Sequence, residues 1–137
     1  LDVIMAENGQ NQFCIVKLTG HFASVQVRSA LKQKPPYRYL NLAMAADQRI
    51  FDYENLDGHL VALYCPAYMD GLNMPGWHFH FISADKSKGG HVLGLSLESG
   101  DGEVDIISSF KMIVPDRKSF NEKHLEADMT SEIHATE

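Results

Sequence analysis

Cysteine is scarce in this 137-residue chain, with Cys14 and Cys65 the only two. A disulfide scaffold is thereby excluded; the pair reads as buried or unpaired thiols, and nothing demands an oxidising compartment. Basic charge is scarce too: 12 Lys and Arg stand against 18 Asp and Glu, for a net charge of −6. That balance argues against nucleic acid and against an anionic membrane surface, since both call for a basic patch. No apolar run approaches the roughly 18 residues of a membrane span, and neither an internal repeat nor a low-complexity linker occurs. The expectation is a cytoplasmic protein with neither a nucleic-acid nor a membrane partner. The opening LDVIMAENGQ lacks an initiator methionine and reads as the middle of a helix, so a further segment upstream is expected.

What is present suits one domain over residues 1–137 with a modest core. After a short helical start and a turn at Gly9, Phe13 to Leu18 reads as a strand, broken at Thr19-Gly20 and resumed from Phe22 to Ala30. In the second run Val25 and Val27 alternate with Gln26 and Arg28, so Arg28 projects from the face opposite the valines. The stretch KQKPPY reads as a loop, because proline cannot donate to a sheet ladder. Leu40 to Gln48 reads as a short helix, 59–65 as a strand, and 66–76 as a structured loop. Trp77 to Ser83 and His91 to Leu97 read as paired strands, with one more in EVDIISSFKMIV and a short helix in NEKHLEADM. The fold class expected is α+β: a mixed or antiparallel sheet with a metal-bearing hairpin and few short helices.

The stretch PGWHFHFISADKSKGGHVLG holds three of the seven histidines, His78, His80 and His91. Alternation puts His78 and His80 on one face of a strand and Trp77, Phe79 and Phe81 on the other. A loop centred near Asp85 and Lys86 places residue 80 across from residue 91, where opposed Cβ atoms lie about 5 Å apart. Gly89-Gly90 admits a bulge that would aim His91 inward. Three imidazoles so placed suit Zn²⁺, and also copper, nickel or iron. With no fourth strong ligand, an open coordination position marks a catalytic rather than a structural site. Cys65 is a further donor by type, though a buried structural thiol fits it better. His21, His59, His124 and His134 show no comparable spacing, and surface or hydrogen-bonded roles are expected for each.

Two other readings share these residues. Cupins also place His-x-His on a strand with an acidic residue a few positions on, where Asp85 stands, but Asp85 falls in the predicted loop and no second cupin motif follows. The other is a non-catalytic domain whose histidines bind metal structurally or not at all.

The segment GHLVALYCPAYMDGLNMPGWHFHFISADKSKGGHVLGLSL resembles the zinc-binding core of the α-acetolactate decarboxylases. The family pattern T/C-P-x-Y-x-x-G-x-x-x-P-G-Y/W-H-x-H-F is met by Cys65, Pro66, Tyr68, Gly71, Pro75, Gly76, Trp77, His78, His80 and Phe81. The following G-G-H-V-L is met by Gly89 to Leu93. FCIVKLTGHFASVQVRSALKQKPPY is similar to the strand–turn–strand segment that delivers an active-site arginine, here Arg28. FDYENLDG resembles the lead-in to the next strand, and IHATE a tail that brings a glutamate, here Glu137, to the metal. The resemblance covers about the C-terminal half of a family member. The N-terminal half, which supplies another active-site glutamate, is absent, so a fragment or a shortened relative is expected.

The resemblance implies conversion of (S)-α-acetolactate, a 2-hydroxy-3-keto acid, to (R)-acetoin and carbon dioxide. It implies Zn²⁺ on His78, His80 and His91 as a Lewis acid for the enediolate left by carbon dioxide. Arg28 is then expected on the substrate carboxylate, and Glu137 as proton donor or metal-site carboxylate. An exposed sheet edge would favour self-association, and a homodimer is expected.

Overall fold

A computed structural model describes residues 1–122, apart from the side chain of Asp2. The chain begins with helix α1, Asp2–Asn8, which stops at Gly9: its φ of 79° is one that glycine adopts without strain, and its N–H caps the Met5 carbonyl. Four strands follow: β1 Phe13–Ala30, β2 Gln48–Cys65, β3 Gly76–Ser83 and β4 Gly89–Ile107. Helix α2, Leu40–Asp47, lies between β1 and β2, a 3₁₀ turn at Ala67–Met69 between β2 and β3, and α3, Lys118–Asn121, after β4. All strand pairs are antiparallel, and they close into a barrel in the order β1-β2-β3-β4. The architecture is therefore an antiparallel sheet with few short helices, within the α+β class expected. No helix among the described residues is long and apolar enough to cross a membrane.

The break expected at Thr19-Gly20 does not occur. Strand β1 runs through, because Gly20 pairs with Gly58 on one side and Gly100 on the other, and the three backbones pass with no side chain between them. Strand β2 likewise extends back to Gln48, well before the predicted start at His59. The two strands expected at 91–97 and 103–114 are one: β4 pairs with β1 from Arg28 back to Phe13, and Ser108 to Val114 lie outside any strand.

Alternation along β1 changes phase midway. Cys14, Val16 and Phe22 are buried, and then Val25 and Val27. Ala23 and Asn55 drop out of the β1–β2 pairing together, so both strands turn over at the same level and the register continues past them. Inside, Phe22, Val25, Val27, Leu60 and Phe81 form one buried cluster, with Phe22 edge-on to Phe81 at 5.1 Å. Cys14, Val16 and Ala62 form another, flanked by Trp77 and Phe79. Burying each large side chain contributes about 1.5–3 kcal/mol. A third cluster, Phe13, Cys65 and Met69 with Leu63 and Ile107, lies on the outer side by alternation from Cys14 and Ala62, beneath the 3₁₀ turn.

Candidate metal centre

Strand β3 is apolar on one side only. Phe79 and Phe81 enter the barrel, which turns His78, His80 and Ile82 to the outer face. His80 pairs with His91, as the centring of the loop predicts. The predicted bulge at Gly89-Gly90 is not there: Ile82 pairs with Gly89 and Phe81 with Gly90 in unbroken register. The irregularity lies farther on, where Gln26 pairs with Gly94 and Val27 with Val92, leaving Leu93 out. That step brings His91 opposite Arg28 and so onto the same face. The two glycines serve close approach instead. A Cβ at Gly89 would lie 2.6 Å from the Phe81 carbonyl oxygen, and one at Gly90 2.6 Å from that of Arg28. Strand β4 enters between β3 and β1 there, with no room for a side chain toward either.

The three rings gather at this crossing. Centroid separations are 4.7 Å for His78–His91, 5.0 Å for His78–His80 and 5.6 Å for His80–His91. The Nε2 atoms of His78 and His80 stand 3.1 Å apart, and ring nitrogens of all three fall within 4.8 Å of one another. Two nitrogens on a tetrahedral ion, each bonded at about 2.0–2.1 Å, would be about 3.3 Å apart. The donor set therefore fits a transition-metal ion with little movement, and three imidazoles leave its charge undiminished.

Arg28 lies on the outer face, opposite in sense to Val25 and Val27 as predicted, yet it is buried, with 7% of its surface exposed. Its Nε and Nη2 atoms have no hydrogen-bond partner among the described residues. Burying a guanidinium with two unanswered nitrogens is costly. A carboxylate would satisfy it in a bidentate fashion.

Other donors are engaged elsewhere. Asp85, the acid a cupin-like reading would need, accepts hydrogen bonds from Ser83 Oγ at 2.6 Å and from Ser87 Oγ and N at 2.8 and 3.0 Å. The Ser83 and Ser87 donors hold its carboxyl at about 2, below the ordinary carboxylate range. Its place is the turn, not the ring cluster. Burial pushes the Cys65 thiol up, so it stays protonated and apolar in character. His21 Nδ1 meets Asp57 Oδ1 at 2.9 Å, and Thr19 Oγ1 meets His59 Nδ1 at 2.9 Å. These last two line an open cleft of about 550 Å³ floored by Gly20, Gly58 and Gly100, away from the three-histidine cluster. Glu137, His124 and His134 lie outside the described residues. Sequence reasoning missed the apolar residues bordering the cluster, Val61 beside His80 and Leu63 beside His78. Only strand pairing between residues 15 and 19 positions apart, invisible to local periodicity, brings them there.

The family model described as Alpha-acetolactate decarboxylase matches residues 2–127. The chain is 39% identical over 128 residues to an alpha-acetolactate decarboxylase of Methanosarcina mazei, covering 93% of this chain and 44% of that protein. It is 38% identical to one of Brevibacillus brevis, covering 93% and 45%. The crystal structure of alpha-acetolactate decarboxylase from Bacillus subtilis strain 168 superposes with a TM-score of 0.89 at 28% identity, over 99% of this chain and 58% of that one. The chain thus spans about half the length of the curated relatives it matches. Sequence similarity and superposed fold agree, and the chain belongs to the alpha-acetolactate decarboxylase family.

Proposed function

We propose that the site decarboxylates (S)-α-acetolactate to (R)-acetoin, with His78, His80 and His91 holding Zn²⁺. The observation that carries this reading is the convergence of three imidazoles beside a buried guanidinium with unanswered nitrogens. A divalent zinc ion held there by His78, His80 and His91 would supply Lewis acidity to a 2-hydroxy-3-keto acid. Arg28 takes the carboxylate, and its strand pairing with His91 holds the bond to be broken beside the imidazoles. As the bond to carbon dioxide breaks, its electron pair passes to the adjacent ketone as an enediolate, and the guanidinium loses its carboxylate partner. Glu137 is the proposed donor of the proton that replaces it, on the strength of the IHATE tail.

The test is racemic acetolactate with zinc-loaded protein, followed by chiral analysis of the acetoin. One zinc per chain and (R)-acetoin, both lost in His91→Ala, support the reading. Full zinc loading with no acetoin overturns it.

A further inference from the structure

The strand partners of Arg28 differ in chemistry on its two sides. Toward β4 stands His91; toward β2 stands Ile50, apolar and exposed. Two carboxylates flank Ile50 in the sequence, Asp47 three positions before it and Asp52 two after. Asp47, the last residue of α2, is taken by the guanidinium of Arg38. Asp52 pairs with Gln26, which by alternation shares the outer face with Arg28. Its Oδ1 accepts a 2.7 Å hydrogen bond from Gln26 Nε2. Diagonal neighbours across a ladder lie about 7–8 Å apart, a gap that a side chain as long as arginine closes. Asp52 is thus within range of Arg28, yet Arg28 Nε and Nη2 have no partner among the described residues. Asp52 lies instead along an open groove of about 440 Å³, lined with it by Ser24, Gln26, Glu54 and Gly94, in which Arg28 takes no part.

We propose that Gln26 is a positioning residue: it moors the Asp52 carboxylate in the groove and so reserves the Arg28 guanidinium for the carboxylate of the bound acid. This rests on the reading given under Proposed function. A guanidinium meets a carboxylate with two parallel N–H donors, and such charge-assisted bonds are roughly twice as strong as neutral ones. Released from Gln26, Asp52 gains by turning to Arg28, where it competes with the ligand from a tethered position. A tethered competitor of this kind acts at an effective concentration on the order of mM, which a free acid has to overcome. Glutamine suits the task because it is neutral. Its amide N–H holds the carboxylate and adds no second cation beside the one that binds the acid.

The test is calorimetric, so that it does not depend on turnover. Zinc-loaded protein is titrated with 2,3-dihydroxy-2-methylbutanoate, a non-reactive reduced analogue that keeps the carboxylate. Gln26→Leu should weaken its binding by about 3- to 10-fold, the range expected of a competing ion pair at Arg28. Adding Asp52→Asn to that variant removes the competitor and should return the affinity to within twofold of the parent. A merely structural role for Gln26 predicts no such rescue. Zinc content stays at one per chain in both variants. If the parent binds the analogue and Gln26→Leu stays within twofold of it, the role of Gln26 is refuted and the Proposed function stands. A loss in Gln26→Leu that Asp52→Asn does not repair refutes it equally. If the zinc-loaded parent does not bind the analogue, the substrate reading falls, and this inference with it.

Discussion

The outer face carries two groups of histidines that differ in what answers each ring. In the glycine-floored cleft, His21 meets Asp57 at 2.9 Å and Glu98 at 3.8 Å, while His59 meets Thr19. In the other group the rings face one another, with nitrogens of three imidazoles inside 4.8 Å. The cleft offers an open volume of about 550 Å³, yet its histidines are tied up pairwise by exposed neighbours. Convergence of like donors, rather than the size of an opening, separates a metal site from a polar surface. A hydrogen-bonded His–Asp pair is content as it stands. Three imidazoles gathered so closely gain most from a cation among them.

The sharpest way to break that contrast is to remove one ring from each group. His80→Ala should weaken zinc binding by more than about 100-fold, since even the loss of a residue supporting a ligand costs 10- to 100-fold. His21→Ala should leave zinc stoichiometry unchanged in the same measurement. Equal loss from both would erase the distinction. Arg28→Met comes next. The expected fall in kcat/KM for acetolactate is about 10²- to 10³-fold, the usual effect of removing one preorganised charge, with zinc retained. The same variant should be more stable by about 1–3 kcal/mol in denaturant titration, because a buried charge with two nitrogens that lack partners among the described residues has been replaced by an apolar group. Gly90→Ala should destabilise by about 1–3 kcal/mol as the new methyl meets the Arg28 carbonyl, and zinc affinity should fall with it.

Smaller effects belong to the exposed groups. His21→Ala should cost under about 1 kcal/mol, as for other solvent-exposed pairs. Asp85 is the least consequential near neutrality and the most sensitive to acid. Its carboxyl is held at about 2 in the folded protein against an ordinary 3.8, so its support for the β3–β4 turn is complete above the ordinary value. That support fades as pH falls from about 4 toward 2. Melting curves of Asp85→Asn and the parent should differ at pH 6 and converge by pH 2. A gap that widens on acidification would refute the assignment.

The histidine hairpin was readable from sequence because everything it needs is local. Alternation sorts His78 and His80 from Phe79 and Phe81, and a short turn fixes the partner of His80. Arg28 was only half readable. Its face followed from the valines beside it, but its burial depends on what packs there from elsewhere in the chain. Thr19-Gly20 misled for a related reason. A glycine in a strand reads as a break, and what keeps β1 whole is Gly58 and Gly100, far away in sequence. The phase change at Ala23 has no local signature either, since it requires Asn55 in the neighbouring strand to drop out of the pairing at the same level.

The crossing of β3 and β4 has a mechanical consequence. Strands β1 and β2 are laced along nearly their whole length, while β3 and β4 meet only through His80–His91, Phe81–Gly90 and Ile82–Gly89. His78 and His80 stand on one side of that short seam and His91 on the other. A cation gripping all three would act as a clasp on the hoop, so that binding it and keeping the barrel shut would become one equilibrium. Each tenfold excess of available metal over its dissociation constant would then tighten the closed form by about 1.4 kcal/mol. Removing such a cation would loosen that short seam first among the described strands.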